Sequence, residues 1–189
     1  MADSASARIL IQPREHWRLA SVLAFHGRVP ALTALLAARH GMALRDGPFR
    51  SAGEGVDAIG IGPHRWLLVR YADDAGSVGE LTGALAGVAA VSDHSDGYAI
   101  FEISGSHARQ MLAKGVALDL HSRAFSVNEA AVTSIAHVGA IVWQLDAAPR
   151  YAIAVFRSYS RDFREFLEAA AAEFVQGGSR PGGITPWSR

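Results

Sequence analysis

The segment that decides the fold runs from Val91 to Phe125 and reads VSDHSDGYAIFEISGSHARQMLAKGVALDLHSRAF. Its first part is a short polar turn followed by a run of alternating character. The alternation predicts a strand in which Phe101 and Ile103 share one face and Glu102 points to the other. The segment therefore begins as a turn and a half-buried strand.

A short helix should follow that strand. A Ser oxygen in Ser104-Gly105-Ser106 can accept a hydrogen bond from an amide of the first helical turn, so this tripeptide is predicted to cap the helix. Gly115 is a suitable end, because glycine adopts the left-handed conformation at little cost. The buried stripe of the helix is predicted to consist of Ala108, Met111 and Leu112.

Working outward, the pattern alternates strands with helices. A helix is predicted from Pro30 to Gly41 with Leu32, Leu35 and Leu36 facing inward, and Ser77-x-x-Glu80 is a capping box for a second helix. Residues 45–55 are predicted to form a loop. The predicted strands are 17–25, 57–61, 65–71, 88–91, 130–136, 140–145 and 151–156, and a final helix carries Phe163, Phe166, Leu167, Ala170 and Phe174.

A weak internal repeat underlies this order. VLAFHG (22–27) is similar to IFEISG (100–105), and HRWLLV (64–69) to PRYAIAV (149–155). We therefore predict an α+β fold of two related strand–helix–strand–strand–helix halves, about 17–91 and 97–174, that share one core. The predicted domain is 15–176, preceded by an N-terminal arm (1–14) and followed by a flexible, Pro/Gly-rich tail (177–189) that carries Trp187.

Composition restricts the classes of function. The chain has 189 residues, half of them hydrophobic, with 18 basic and 18 acidic residues and no cysteine. A neutral chain has no basic field for nucleic acid, and without cysteine it has no disulfide, thiolate nucleophile or zinc–sulfur site. The N-terminus lacks the pattern of a signal peptide, so we expect a cytoplasmic protein. A mean hydropathy of +0.14 fits either an apolar partner surface or a large Ala and Gly content.

The glycine-rich segments do not match nucleotide-binding loops. GEGVDA (53–58) leads into a strand, whereas a dinucleotide loop follows a strand and opens a helix. In GIGPHR (60–65), Pro63 removes an amide where a phosphate would need one. No bound NAD or flavin is expected from these segments.

Candidate reactive residues also favour structural roles. Five consecutive residues, Ser92 to Asp96, cannot form a hydrolase triad among themselves, and we interpret them as a turn with Asx-type bonds. His107 and His137 could meet in space, but a lone histidine is more often structural. Arg157-Ser158 could hold a carboxylate or phosphate, although a cap on the final helix is the preferred interpretation. Trp17, Trp66 and Trp143 have core spacing.

The ordered set of residues resembles the gamma subunit family of heterotetrameric sarcosine oxidase. The similarity covers roughly residues 15–175, and it departs from the family pattern at Val116 and Val175. The residues that carry it are Asp93-x-Ser95, Ser104-Gly105, Ala108-Arg109, Leu112-Ala113-Lys114-Gly115, Asp119-Leu120, Arg123, Phe125, Thr133, Trp143-Gln144-Leu145-Asp146, Arg157-Ser158 and Ala171-Ala172-Glu173-Phe174.

The resemblance implies a fold similar to the folate-binding domain of aminomethyltransferases. It also implies a non-catalytic subunit, with alpha, beta and delta subunits as partners. Those partners would carry FAD, FMN, NAD, tetrahydrofolate and zinc, and the complex would oxidise sarcosine to glycine. No catalytic, cofactor-binding or metal residue is assigned to this chain.

An alternative is a free-standing folate or one-carbon binding protein of the aminomethyltransferase type. Fold similarity alone does not decide between the two functions. A folate site would need an acidic residue in a deep pocket to hold the pterin ring. The central candidates are Asp93, Asp96 and Asp119, each of which we interpret as structural.

Overall fold

Two antiparallel sheets and four α-helices make up the part of the chain that the computed structural model describes, residues 8–14, 17–70 and 78–175. A single 3₁₀ turn, Arg157–Tyr159, precedes the last helix. The strands are β1 Leu10–Arg14, β2 Arg18–Ala24, β3 Arg50–Gly53, β4 Val56–Gly62, β5 Arg65–Arg70, β6 Ala89–Asp93, β7 Tyr98–Ser104, β8 Ala130–Ile135, β9 Val138–Asp146 and β10 Arg150–Phe156. The helices are α1 Val29–His40, α2 Val78–Ala84, α3 Ala108–Leu112 and α4 Ser160–Val175.

The strand orders of the two sheets reveal the internal repeat. The first sheet has the order β3-β4-β5-β2-β6, and the second, taken from its far edge, has the order β8-β9-β10-β7-β1. In each half a helix follows the first strand, three strands come next, and a second helix follows them. The prediction of an α+β fold built from two related halves is confirmed.

The fifth strand of the second sheet comes from the start of the chain. β1 pairs antiparallel with β7, and Leu10 lies opposite Ser104. Its counterpart in the first sheet, β6, instead follows α2 and pairs with β2. The segment predicted as an N-terminal arm thus contributes a sheet edge to the second half.

Three apolar clusters give the molecule four layers. One cluster lies between the sheets and joins Leu19, Ile59 and Leu67 of the first to Ile100 and Trp143 of the second. A second cluster packs α1 and α2 on the outer face of the first sheet, and a third packs α3 and α4 on the outer face of the second. The predicted shared core is the layer between the sheets.

The predicted loop at 45–55 is wrong in part, because it contains β3. Arg50–Gly53 pairs with β4 in a tight hairpin, with Arg50 opposite Ile59. The strand is short and carries Gly53 and only one apolar side chain, Ala52, so alternation could not identify it. The first half consequently has three strands between its helices, where two were predicted, whereas the three strands of the second half, β8, β9 and β10, correspond to the predicted 130–136, 140–145 and 151–156.

Details of two helices differ from the prediction. Leu32 and Leu36 are buried in α1, but Leu35 is exposed. The cap position of α3 is His107, and it makes no side-chain capping bond, so Ser104-Gly105-Ser106 is not the cap. α3 ends at Leu112, before Gly115. The capping-box residue Ser77 and the tail 177–189 lie outside the described residues.

Gly115 has a packing role instead of a helix-ending role. A β-carbon at this position would lie 2.5 Å from Phe166 Cζ and 3.2 Å from the Ala136 amide nitrogen. A side chain here would therefore displace the Phe166 ring, and glycine lets α4 pack closely on the connection that follows α3. The sequence pattern identified an important glycine here for the wrong reason.

Candidate functional site

The turn that joins the two halves is an Asx turn built on Asp93 and Ser95. Asp93 Oδ1 accepts the Ser95 amide at 2.8 Å and the Ser95 hydroxyl at 2.6 Å. These hydrogen bonds lower the pKa of the Asp93 carboxyl below its usual value. The Leu19 amide in turn donates to Ser95 Oγ at 3.2 Å. The interpretation of 92–96 as a hydrogen-bonded turn is confirmed.

Arg157 clamps this turn to the second half. Its Nε donates to the Asp96 carbonyl at 2.8 Å, and its Nη2 donates to the carbonyls of Ser95 at 3.2 Å and Tyr98 at 2.9 Å. The guanidinium group therefore binds backbone oxygens of the connection between the halves. The preferred interpretation, that Arg157 caps the final helix, is wrong, because these carbonyls lie outside α4.

The remaining candidate residues, Asp119, His107 and His137, belong to different local contacts. Asp119 accepts the His121 amide at 2.8 Å in a local turn. The His107 ring packs on Phe174, with 5.0 Å between centroids, and His137 lies in the turn between β8 and β9. Among the described residues, no three His, Cys, Asp or Glu side chains are placed to hold a metal ion.

The glycine-rich segments belong to hairpins of the first sheet. Residues 53–58 connect β3 to β4, and residues 60–65 connect β4 to β5. The expectation that 53–58 leads into a strand is confirmed. Trp66 and Trp143 are buried and Trp17 packs on the layer between the sheets, so their predicted core role is confirmed too.

The layer between the sheets opens to the surface at one end, which we call the sheet mouth and define by Leu23, Ile61, Tyr98, Val132 and Phe156. Each of these residues lies on the inner face of its sheet, two or four positions along its strand from a residue of that face that is buried. Leu23, Phe156 and Val132 are 39%, 50% and 61% exposed, whereas Leu19 and Ala154 of the same strands are buried.

A cleft of about 500 Å³ forms one side of the sheet mouth. It lies between the loop at 46–48, the β4–β5 connection at 60–63 and Val132 of the second sheet. A β-carbon at Gly60 would overlap the Gly47 carbonyl, whereas one at Gly62 would meet nothing within 4 Å. The loop therefore packs tightly on β4, while the neighbouring floor of the cleft is open.

Polar groups at the cleft already have partners. Asp46 accepts the amides of Gly47 and His64, both at 3.0 Å. Its other carboxylate oxygen lies 2.8 Å from His64 Nδ1. The other cleft-lining residues have no ionisable side chain: Gly47, Pro48, Gly60, Ile61, Gly62, Pro63 and Val132. The cleft can therefore accept apolar groups better than charged ones.

Aromatic rings form the other side of the sheet mouth. Tyr98 and Phe156 lie opposite each other on neighbouring strands and stack with 4.9 Å between centroids. His94 contacts Tyr98 edge-on at 5.9 Å, and its Nε2 is 3.1 Å from Ser21 Oγ. Burial raises the pKa of Tyr98. Such rings are typical anchors of protein interfaces.

Sequence reasoning missed the sheet mouth, although a signal exists. Apolar residues continue to the last inward position of β2 and β10, where a lone domain would place polar side chains. The sequence cannot show that these strand ends extend beyond the opposing sheet. That extension depends on how the two sheets pack.

Comparison with solved structures defines the class of fold. A chain of the heterotetrameric sarcosine oxidase from Corynebacterium sp. U-96, in complex with pyrrole 2-carboxylate, is similar with a TM-score of 0.79 and 24% identity, covering 93% of this chain and 91% of that one. Aminomethyltransferase T of the glycine cleavage system from Bartonella henselae is similar with a TM-score of 0.64 and 15% identity, covering 87% and 46%. The fold is that of the aminomethyltransferase-like α+β proteins.

Sequence comparison then gives the family. The sequence model of the sarcosine oxidase, gamma subunit family matches residues 30–173, and the chain belongs to that family. The sarcosine oxidase subunit gamma of Arthrobacter sp is 36% identical over 114 residues, 59% of this chain and 56% of the relative. That of Corynebacterium sp. (strain P-1) is 31% identical over 123 residues, 65% and 60%. The matches thus span little more than half of these relatives.

Proposed function

We propose that this chain is the gamma subunit of a cytoplasmic heterotetrameric sarcosine oxidase and that it supports assembly without performing catalysis. Its partners are the alpha, beta and delta subunits. They carry FAD, FMN, NAD, tetrahydrofolate and zinc and oxidise sarcosine to glycine with oxygen as acceptor. The observation that carries this proposal is the family match over residues 30–173.

The hydrogen bonding of the candidate residues supports the non-catalytic part of the proposal. Asp93 accepts hydrogen bonds from the amide and the hydroxyl of Ser95, and Arg157 donates to the Ser95 carbonyl, in the connection between the halves. Asp119 stabilises a local turn. The hydrogen bonds of these side chains thus stabilise the connection between the halves and a local turn, which is a structural role.

Co-expression of the four subunits, with and without this chain, tests the proposal. We expect that omission lowers the yield of assembled, flavin-loaded complex, measured by size-exclusion chromatography and flavin absorbance, together with sarcosine oxidation. Equal assembly and turnover by the other three subunits would contradict the assembly role.

A second comparison separates assembly from catalysis. Asp93→Asn and Asp119→Asn should allow assembly and leave turnover per assembled complex within about twofold of the wild type, a change below 0.5 kcal/mol in the barrier. Loss of turnover in an intact complex would reveal a catalytic role. Tight tetrahydrofolate binding by the purified chain in calorimetry would instead favour a folate-binding protein.

A further inference from the structure

We propose that the sheet mouth, defined by Leu23, Ile61, Tyr98, Val132 and Phe156, is the surface on which this chain receives an uncharged, apolar segment of a partner subunit. The inference rests on the proposed function and extends it by naming the surface and the chemistry of its partner.

The exposed apolar side chains of the sheet mouth favour contact with another protein segment. Val132 and Phe156 are at least half exposed, and the cleft beside Val132 has room for several side chains. Exposed aromatic and aliphatic residues that continue directly from a buried layer resemble the core of a stable interface, which is apolar and has aromatic anchors. A partner segment would complete the layer between the sheets.

The scarcity of charged groups in the cleft favours an uncharged ligand over a charged one. Among the described residues that line the cleft, Asp46 alone has an ionisable side chain, and both of its carboxylate oxygens are engaged by Gly47 and His64. The cation Arg65, opposite Leu23, lies at the rim of the sheet mouth outside the cleft. A charged ligand entering the cleft would lose its hydration without gaining a new ion pair. Aliphatic or aromatic side chains of a protein segment carry no such cost and match the walls.

The path of the chain favours a partner subunit, rather than a segment of this chain, as the occupant of the sheet mouth. Residues 71–77 follow Arg70, which pairs with Arg18 at the end of the first sheet opposite Leu23 and Arg65. Helix α4 begins shortly after Phe156 and has 16 residues, which is about 24 Å at 1.5 Å per residue. The chain after Val175 therefore begins at the end of α4 that is far from Phe156. Residues 71–77 and the chain after Val175 therefore join the described fold away from the sheet mouth.

A single labelled cysteine can report on the surface directly, because the chain has no cysteine of its own. Val132→Cys carries an environment-sensitive fluorophore at the sheet mouth. Leu35→Cys carries the same fluorophore at an exposed apolar position outside the sheet mouth, 40% exposed on α1. On addition of the other three subunits, we expect a blue-shifted emission from the label at position 132 and no shift from the label at position 35.

Charge substitution tests the same surface without a label. Val132→Asp and Phe156→Asp should weaken incorporation into the co-expressed complex by about tenfold or more, while Leu35→Asp leaves it unchanged. Circular dichroism and thermal unfolding of each purified variant identify any that fails to fold. Wild-type incorporation by both charged variants, with no blue shift at position 132, would overturn the proposal while leaving the assembly role intact.

Other occupants give distinct results. A blue shift of the free chain that disappears on deletion of residues 176–189 would identify the chain's own tail as the cover. Self-association of the free wild-type chain that Val132→Asp abolishes, seen by analytical ultracentrifugation, would identify a second copy. Failure of the wild-type chain to join the other subunits would reject the proposed function itself. Each of these results would overturn the sheet mouth as the site for a partner subunit.

Discussion

Gly60 illustrates how one residue sets the shape of the cleft. A β-carbon here would lie 1.8 Å from the Gly47 carbonyl oxygen, and the Gly60 amide donates to the Phe49 carbonyl at 2.9 Å. The strand also changes register between Gly60 and Gly62. Glycine is thus required by a close approach between two backbone segments.

Gly60→Ala should destabilise the protein by about 2–4 kcal/mol, because the 46–48 loop must move to relieve the overlap. Gly62→Ala is the matched control, since a β-carbon there meets nothing within 4 Å, and it should change stability by less than about 1 kcal/mol. Urea unfolding of both variants measures the difference. Similar stabilities for the two variants would show that the loop is not packed on β4 as described.

The lowered pKa of Asp93 predicts that the stability of the protein depends on pH. Hydrogen bonds from the Ser95 hydroxyl and amide hold the pKa of Asp93 below its ordinary value of 3.8. The stabilisation is therefore fully present above pH 3.8 and is lost as the pH falls below that value towards the depressed pKa. Asp93→Asn should be less stable than the wild type at pH 6, and the gap should narrow as the pH is lowered through 3.8.

Chemical unfolding from pH 3 to pH 6 measures this gap. Ser95→Ala removes the hydroxyl that is the larger cause of the shift, so it should weaken the same pH dependence while keeping the carboxylate. A gap between the wild type and Asp93→Asn that stays constant across this range would show that Asp93 titrates equally in the folded and unfolded chain.

At the scale of elements, a buried carboxylate attaches β1 to the second sheet. Glu102 on β7 lies between β1 and β10, and its carboxylate is 2.6 Å from Arg14 and 2.9 Å from Arg150. Its side chain is only 6% exposed. Because β1 comes from the opposite end of the chain from β10, this cluster joins elements that are far apart in sequence.

Glu102→Ala should lower the free energy of unfolding by about 2–4 kcal/mol, since it leaves two arginines without their shared partner. Glu165→Ala is the control, because Glu165 pairs with Arg161 at 3.1 Å on the exposed face of α4, and its loss should cost less than about 0.5 kcal/mol. Hydrogen exchange of β1 amides should rise in the first variant only. Unchanged protection of β1 would contradict its attachment through Glu102.

Elements with a strong local pattern were predictable, and those that depend on distant partners were not. The period of Phe163, Leu167 and Ala170 predicted α4, and the alternation of Phe101, Glu102 and Ile103 predicted β7. β3 is short and β1 lies in a segment interpreted as an arm, so each owes its state to a neighbouring strand rather than to its own sequence. Glu102 was placed on the correct strand, but its burial depends on Arg14 and Arg150, which pattern analysis cannot bring together.

The whole molecule unites its halves through apolar and polar contacts. The layer between the sheets contains buried residues from both halves, such as Leu67 and Trp143. At its edge, Arg50 Nη1 donates to the Asn128 side chain at 2.8 Å, and the Arg50 amide donates to the Asn128 carbonyl at 2.7 Å. Neither half can keep its inner face dry without the other.

We therefore expect the two halves to unfold together. Fluorescence of Trp66, which lies in the outer core of the first half, and of Trp143, in the layer between the sheets, should follow the same urea transition as far-UV circular dichroism. Variants that retain only Trp66 or only Trp143 of the four tryptophans in the chain separate their signals. Fragments 17–91 and 97–174 expressed alone should lack a cooperative transition, since each exposes the inner face of its sheet to water. Two resolved transitions, or a fragment that folds by itself, would mean that the halves are independent domains. A single transition would mean that a partner bound at the sheet mouth, to which both sheets contribute residues, should stabilise the whole chain and not one half alone.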